Sequence, residues 1–82
     1  MTHQLKIWPT FFQVAWVGDK PFEIRKNDRN FQERDEITLS EYNSEEDDYT
    51  GREIDGIITY ITSFKQKKGY VVFSYEETGR RE

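Results

Sequence analysis

Residues 52–63, REIDGIITYITS, constrain the fold more than any other stretch of this chain. Ile54, Ile57, Ile58, Tyr60 and Ile61 put apolar side chains at both odd and even positions. Branched and aromatic residues favour an extended backbone because they pack well on a pleated surface. Apolar residues at both parities depart from the strict alternation of a strand with one wet face. This segment is therefore expected to be the longest and most central strand of a sheet. Gly56 inside it marks a bulge or sharp bend.

The rest of the chain has to build a core around that strand with little material. It has 82 residues, which predicts a single domain over 1–82. A fold of this size buries only about 60–65 % of the surface its unfolded chain exposes. No cysteine is present to staple it, so thirteen aromatic residues carry much of the burial. The lack of cysteine fits a reducing, cytoplasmic setting. No run approaches the ~20 apolar residues of a membrane span, and MTHQLKIW lacks a signal peptide's apolar block. A soluble, intracellular protein with no membrane partner is expected.

Periodicity places the other elements. HQLKIW alternates, with His3, Leu5 and Ile7 on one side, and reads as a first strand. PTFFQVAWV changes period and predicts a helix of about two turns over residues 9–17. Pro9 suits its first turn and Gly18 the left-handed cap beyond its end. Phe12 and Trp16 fall on its packed side, and Trp8 is expected to be more exposed. In FEIR, alternation predicts Phe22 and Ile24 inward with Glu23 and Arg25 on the opposite face. KNDRN suits a turn, after which Phe31 folds back over the core. DEITLSEY reads as a strand with Ile37 and Leu39 inward and Thr38 and Ser40 outward. NSEEDDYTG reads as a long acidic hairpin connection, FKQKKG as a basic loop and YVVFSY as a last strand. Residues 77–82 are expected to form a mobile charged tail. The result is a mainly β (α+β) fold: five strands, mostly antiparallel, in a small barrel plugged by one early helix.

Net charge is −4, yet the charges are segregated. Residues 20–34 carry five basic against three acidic groups, whereas residues 41–55 carry seven acidic groups against Arg52 alone. A local positive field attracts phosphate even on an acidic protein. Lys20, Glu23, Arg25, Lys26, Asn27, Asp28 and Arg29 form the densest polar cluster. They read either as a solvated strand face or as the wall of a binding cleft. In the second reading cations position a phosphate, while Glu23 and Asn27 bond a base edge. Trp8, Trp16 and the Phe11/Phe12 pair have the rings to stack a base, but helical spacing assigns the last three to packing and leaves Trp8 as the candidate. Lys65, Lys67 and Lys68 could also meet phosphate or simply solubilise their loop. The run Glu45–Asp48 lacks calcium-loop spacing and has no His or Cys beside it, so no metal or other cofactor is expected. One histidine and no cysteine exclude the usual hydrolytic triads, and His3, on an apolar parity, reads as structural.

HQLKI, FEIRKNDR, YTGREI and GYVVF together resemble DUF3850, a small phage- and bacterium-associated family of unknown function grouped with ASCH domains in the PUA-like superfamily. The resemblance runs from His3 to about Tyr75 and implies a PUA-like β-barrel. Relatives in that superfamily bind RNA or modified bases in a cleft beside the helix. One ASCH branch hydrolyses N4-acetylated cytidine through a Lys and a Thr three residues later, assisted by a distant Glu. GDKPFEIR keeps the Gly18 and Lys20 positions but has Glu23 where that branch has Thr, and no counterpart of the distant Glu aligns. The leading expectation is thus an RNA- or nucleotide-binding module without catalysis. A hydrolase of N4-acylated nucleosides acting through Lys20 and Glu23 is the alternative, and a phage accessory protein that contacts a host protein through its acidic hairpin is the third.

Overall fold

The computed structural model describes all 82 residues. Its elements are β1 (Thr2–Ile7), α1 (Pro9–Trp16), β2 (Phe22–Lys26), β3 (Glu36–Asn43), β4 (Asp48–Thr62) and β5 (Tyr70–Arg81). The five strands make one sheet in the order β1-β3-β4-β5-β2, curled into a half-barrel. β1 runs parallel to β3, and the other neighbouring pairs are antiparallel. The mainly β architecture with one helix after the first strand is as the sequence predicts. The long isoleucine-rich strand is central, with a neighbour on each side.

The two parities of that strand have a specific cause. Ile54, Gly56 and Ile58 face inward, and the register then shifts between Ile58 and Tyr60. After the shift the odd residue Ile61 packs against the core, while Tyr60 is 60 % exposed. The bulge switches which parity faces the core. A second shift lies between Asp55 and Gly56, where a side chain would be tightly crowded. A Cβ on Gly56 would sit 3.0 Å from the Glu76 carbonyl oxygen and 3.0 Å from the Tyr75 ring.

Helix α1 is too short to persist alone and is held by its contacts. Phe12 and Ala15 are buried beneath it. Gly18 follows its last turn at φ +87°, as expected of the cap. Arg80 lies 4.1 Å from the Trp16 ring centre, and its Nη2 donates to the Trp16 carbonyl at 2.9 Å. Arg52 covers the same ring at 5.0 Å while donating from Nε and Nη2 to the Glu41 carboxylate, both at 2.9 Å. Arg80 belongs to the segment expected to be a tail. Instead β5 continues to Arg81, which faces Glu53 across β4. Charged residues read as a tail in sequence are here an outer strand face, because Glu53 and Asp55 neutralise Arg81.

Other corrections are local. The acidic connection is short: β3 and β4 extend towards each other and leave only residues 44–47 as the turn. Ser40, expected outward, is 1 % exposed because its hydroxyl is bonded to Gln4 and Glu53 on the sheet's outer face. In β2 the assignment of faces is reversed. Glu23 is 4 % exposed, whereas Phe22 and Ile24 are 40 % and 55 % exposed. The antiparallel register aligns Glu23 with buried Phe73, and Ile24 with Val72 on the outer side. Pairing to β5 decides the face, and ion pairs make a buried carboxylate tolerable there.

His3 is structural. Its Nε2 lies 2.8 Å from Asp35 Oδ2, and the ring packs edge-on to Phe31 at 4.8 Å. An ionised carboxylate only accepts, so Nε2 carries the proton. That bond, together with one from the Gln32 amide, holds the Asp35 carboxyl below its usual range. Arg52 does the same to Glu41, and Arg81 to Asp55. Each group is more acidic folded than unfolded, so the native state binds fewer protons at low pH. Their stabilisation is complete above the unfolded values near 4 and drains away as pH falls through the lower folded values. Urea midpoints are therefore expected to be level from pH 7 to 5 and to drop below about pH 4. A midpoint unchanged at pH 3 would contradict these three pairings.

Candidate nucleotide-sized cleft

The half-barrel is open between its two edge strands, and the opening is the candidate site. No backbone ladder joins β1 to β2. Arginines of the β2 segment reach across instead: Arg25 Nη2 donates to the Lys6 carbonyl at 3.0 Å, and Arg29 Nη1 to the Gln4 carbonyl at 2.7 Å. These bonds satisfy edge acceptors of β1 and leave a cleft of about 500 Å³ beside α1. That volume lies in the ordinary range for small-ligand sites, about 300–1,000 Å³.

Four elements supply the walls. Lys6 and Ile7 come from the end of β1, Trp8 and Phe11 from the start of α1. Lys20 and the whole of β2 form the opposite wall, with Tyr70 of β5 beyond it. Trp8 and Phe11 are 48 % and 52 % exposed, so two aromatic faces stand open at the rim.

The polar centre is Glu23. Lys20 Nζ donates to its Oε2 and, at 2.8 Å, to the Phe22 carbonyl. Arg25 Nε donates to its Oε1 at 3.3 Å. A carboxylate has about four acceptor positions, so each oxygen keeps at least one unfilled by these two bonds. Behind it the Tyr75 hydroxyl donates to the Lys20 carbonyl at 3.2 Å. Burial, and then the nearby Glu23 charge, push the Tyr75 phenol up to about 12. Tyr75 therefore stays a neutral donor that fixes the Lys20 backbone.

The cluster expected from sequence is thus divided. Lys20, Glu23, Arg25 and Lys26 line the cleft, as does Trp8. Asn27, Asp28 and Arg29 do not line it. The Asn27 side-chain oxygen accepts from the Phe31 amide at 2.8 Å, which closes the turn and fixes the chain before buried Phe31. Arg29 bridges to β1. Sequence reasoning missed Lys6 and Tyr70, which reach the cleft only through the β1–α1 and β2–β5 geometry. Phe11, weighed for stacking but assigned with its helix to the core, stands at the rim. Phe22 and Ile24 were assigned to the core and instead contribute to the cleft wall.

A family model described as "Domain of unknown function (DUF3850)" matches residues 2–75. The chain belongs to the DUF3850 family. It is also 33 % identical over 60 residues to an uncharacterized 12.9 kDa protein in the GpA 3′ region of Escherichia phage P2. That match covers 73 % of this chain and 53 % of the phage protein, so it spans about half of that relative's length. Every residue lining the cleft lies inside the DUF3850 segment, whereas the Arg80 and Arg81 pairings lie beyond it. No helix is long and apolar enough to cross a membrane, and no group of three His, Cys, Asp or Glu side chains is arranged to hold a metal ion.

Proposed function

We propose that this DUF3850 chain is a cytoplasmic RNA-binding module of the PUA-like, ASCH-related kind, whose cleft takes one unstacked base. The observation that carries the reading is the buried Glu23 carboxylate, held by Lys20 and Arg25 on a cleft wall and flanked by open aromatic faces. Sequence-selective RNA recognition uses such combinations, with stacking on an aromatic and bonds to the exposed base edge. Glu23 offers only acceptors, so it favours a base that presents N–H donors. Guanine has two adjacent donors on one edge and fits best. Lys6 and Lys26, which make no ion pair, are free to meet phosphate at the cleft mouth.

Calorimetric titration with GMP and with a hexaribonucleotide of alternating U and G tests this. Saturable binding is expected, weakened roughly ten- to a hundredfold by Trp8→Ala, in line with about 1–3 kcal/mol per stacked base. Absence of binding to both probes at low salt would reject the reading.

The direct contact between Lys20 and Glu23 favours a second reading, hydrolysis of an N4-acylated nucleoside. Against it, two of the three Lys20 donors are already engaged, on Glu23 and on the Phe22 carbonyl. We expect no release of acetate from N4-acetylcytidine by the wild type. Turnover that Lys20→Arg abolishes would make the protein an enzyme, because arginine stays protonated and cannot act as base or nucleophile.

A further inference from the structure

The lysines are distributed in a way that net charge conceals. Of the six lysines only Lys20 makes an ion pair. Lys6 and Lys26 line the cleft, and Lys65, Lys67 and Lys68 crowd the turn between β4 and β5. No acidic residue occurs from Gly56 to Tyr75, so nothing nearby in sequence neutralises that turn.

The turn is built against one end of the cleft. Lys26 pairs with Tyr70 in the β2–β5 ladder, and the Asn27 amide donates to the Gly69 carbonyl at 2.8 Å. Two successive tight turns shape it, closed by Gln66 N to Ser63 O at 3.0 Å and Tyr70 N to Lys67 O at 2.9 Å. They hold Phe64 at the tip, 73 % exposed, with Lys65 Nζ 5.6 Å from its ring centre. Lys67 Nζ lies 5.7 Å from the Tyr70 ring, which itself lines the cleft. Aromatic residues interleaved with unpaired lysines therefore continue from the cleft wall out to the turn.

The other end turns acidic beyond Lys6, whose Nζ lies 4.2 Å from the Tyr42 ring centre. β2 runs antiparallel to β1 across the opening, with Arg25 opposite Lys6 and Arg29 opposite Gln4, so Trp8 lies away from Lys26 and Tyr70. Trp8 leads onto Tyr42 at 5.8 Å, and Tyr42 bonds Asp47 of the acidic hairpin. A phosphate chain leaving that way meets a run of carboxylates.

We propose that the ligand is a single strand rather than a free nucleotide, and that it leaves the cleft past Lys26 and Tyr70 to lie along Phe64, Lys65, Lys67 and Lys68. This rests on the cleft being a base site. Phe64 offers a second stacking face, and the three lysines neutralise the phosphates that follow. The turn lysines do not line the cleft, so a mononucleotide confined there leaves them unused. A lipid surface is disfavoured because the basic turn is continuous with a concave site that a bilayer cannot enter.

The test compares GMP with the alternating U and G hexamer on wild type, Phe64→Ala and the triple change Lys65→Gln, Lys67→Gln, Lys68→Gln. All four positions are exposed, and a urea midpoint confirms folding. Wild type is expected to bind the hexamer at least roughly tenfold more tightly than GMP, and Phe64→Ala to lose about that factor on the hexamer alone. The triple variant is expected to shed about 2 from the slope of log affinity against log salt for the hexamer, with GMP unaffected. Equal affinity for both probes, with neither variant changing it, would leave the cleft as a mononucleotide site and overturn the strand path. Loss of GMP binding together with hexamer binding in wild type would overturn the cleft reading itself. Binding to phosphatidylserine vesicles that the triple variant abolishes, with the hexamer unaffected, would reassign the turn to membranes.

Discussion

Phe73→Ala is expected to remove about 3–5 kcal/mol of unfolding free energy, a large share of what a domain of this size holds. Phe73 is fully buried, its ring lies 5.1 Å from Phe31, and it stands between Glu23 on β2 and Ile61 on β4. Truncation loses the transfer energy of a whole ring and leaves a cavity that only a rearranged half-barrel could close. Phe73→Leu keeps much of the volume and is expected to cost clearly less. Urea unfolding followed by circular dichroism reads both. A loss below about 1 kcal/mol for the alanine variant would mean that the centre of the core lies elsewhere.

Glu23→Gln is expected to flatten discrimination among bases. The wild type is expected to prefer GMP over UMP, because the two adjacent donors of guanine fit the two free acceptor positions of the carboxylate. Uracil instead flanks its single N–H with carbonyls, which the carboxylate repels. A hydrogen bond to a charged group contributes about 1.5–3 kcal/mol, so the preference is expected to fall by roughly ten- to a hundredfold. Glu23→Gln also removes the anion between Lys20 and Arg25, and some stability should go with it. Titrations are therefore compared at a temperature where both proteins are folded. Equal wild-type affinity for GMP and UMP, or a preference that survives the substitution, would remove Glu23 from base recognition.

Much of this fold is legible as pattern. His3, Leu5 and Ile7, then Ile37 and Leu39, alternate and are buried as their parity requires. Pro9 and Gly18 bracket the helix because one lacks an amide the first turn does not need and the other tolerates φ +87°. Phe31 closes over the core after a turn rich in Asn and Asp, where Asn30 adopts φ 53°. The charged stretch at residues 20–29 is legible as a site candidate, since cations and carboxylates at that density rarely serve a core. Its division is not legible. Asn27 has the chemistry to read a base but shapes a turn, and Arg29 has the chemistry to hold phosphate but bonds a β1 carbonyl.

What the sequence by itself determined is the set of elements, their order and the apolar residues that must meet. Each follows from the local spacing of side chains along a helix or strand and from turn chemistry. Only the tertiary structure decided which face of β2 is inside. Alternation identifies two faces but labels them by polarity alone, so it assigned Phe22 and Ile24 to the core. The β5 register instead aligned Glu23 with Phe73, and Lys20 and Arg25 supplied the counter-charges that a buried carboxylate requires. The same holds for the cleft. It exists because β1 and β2, separated by a helix in sequence, end at opposite edges of one curled sheet without pairing. Arginine side chains reach across the remaining gap, and no local spacing encodes that distance.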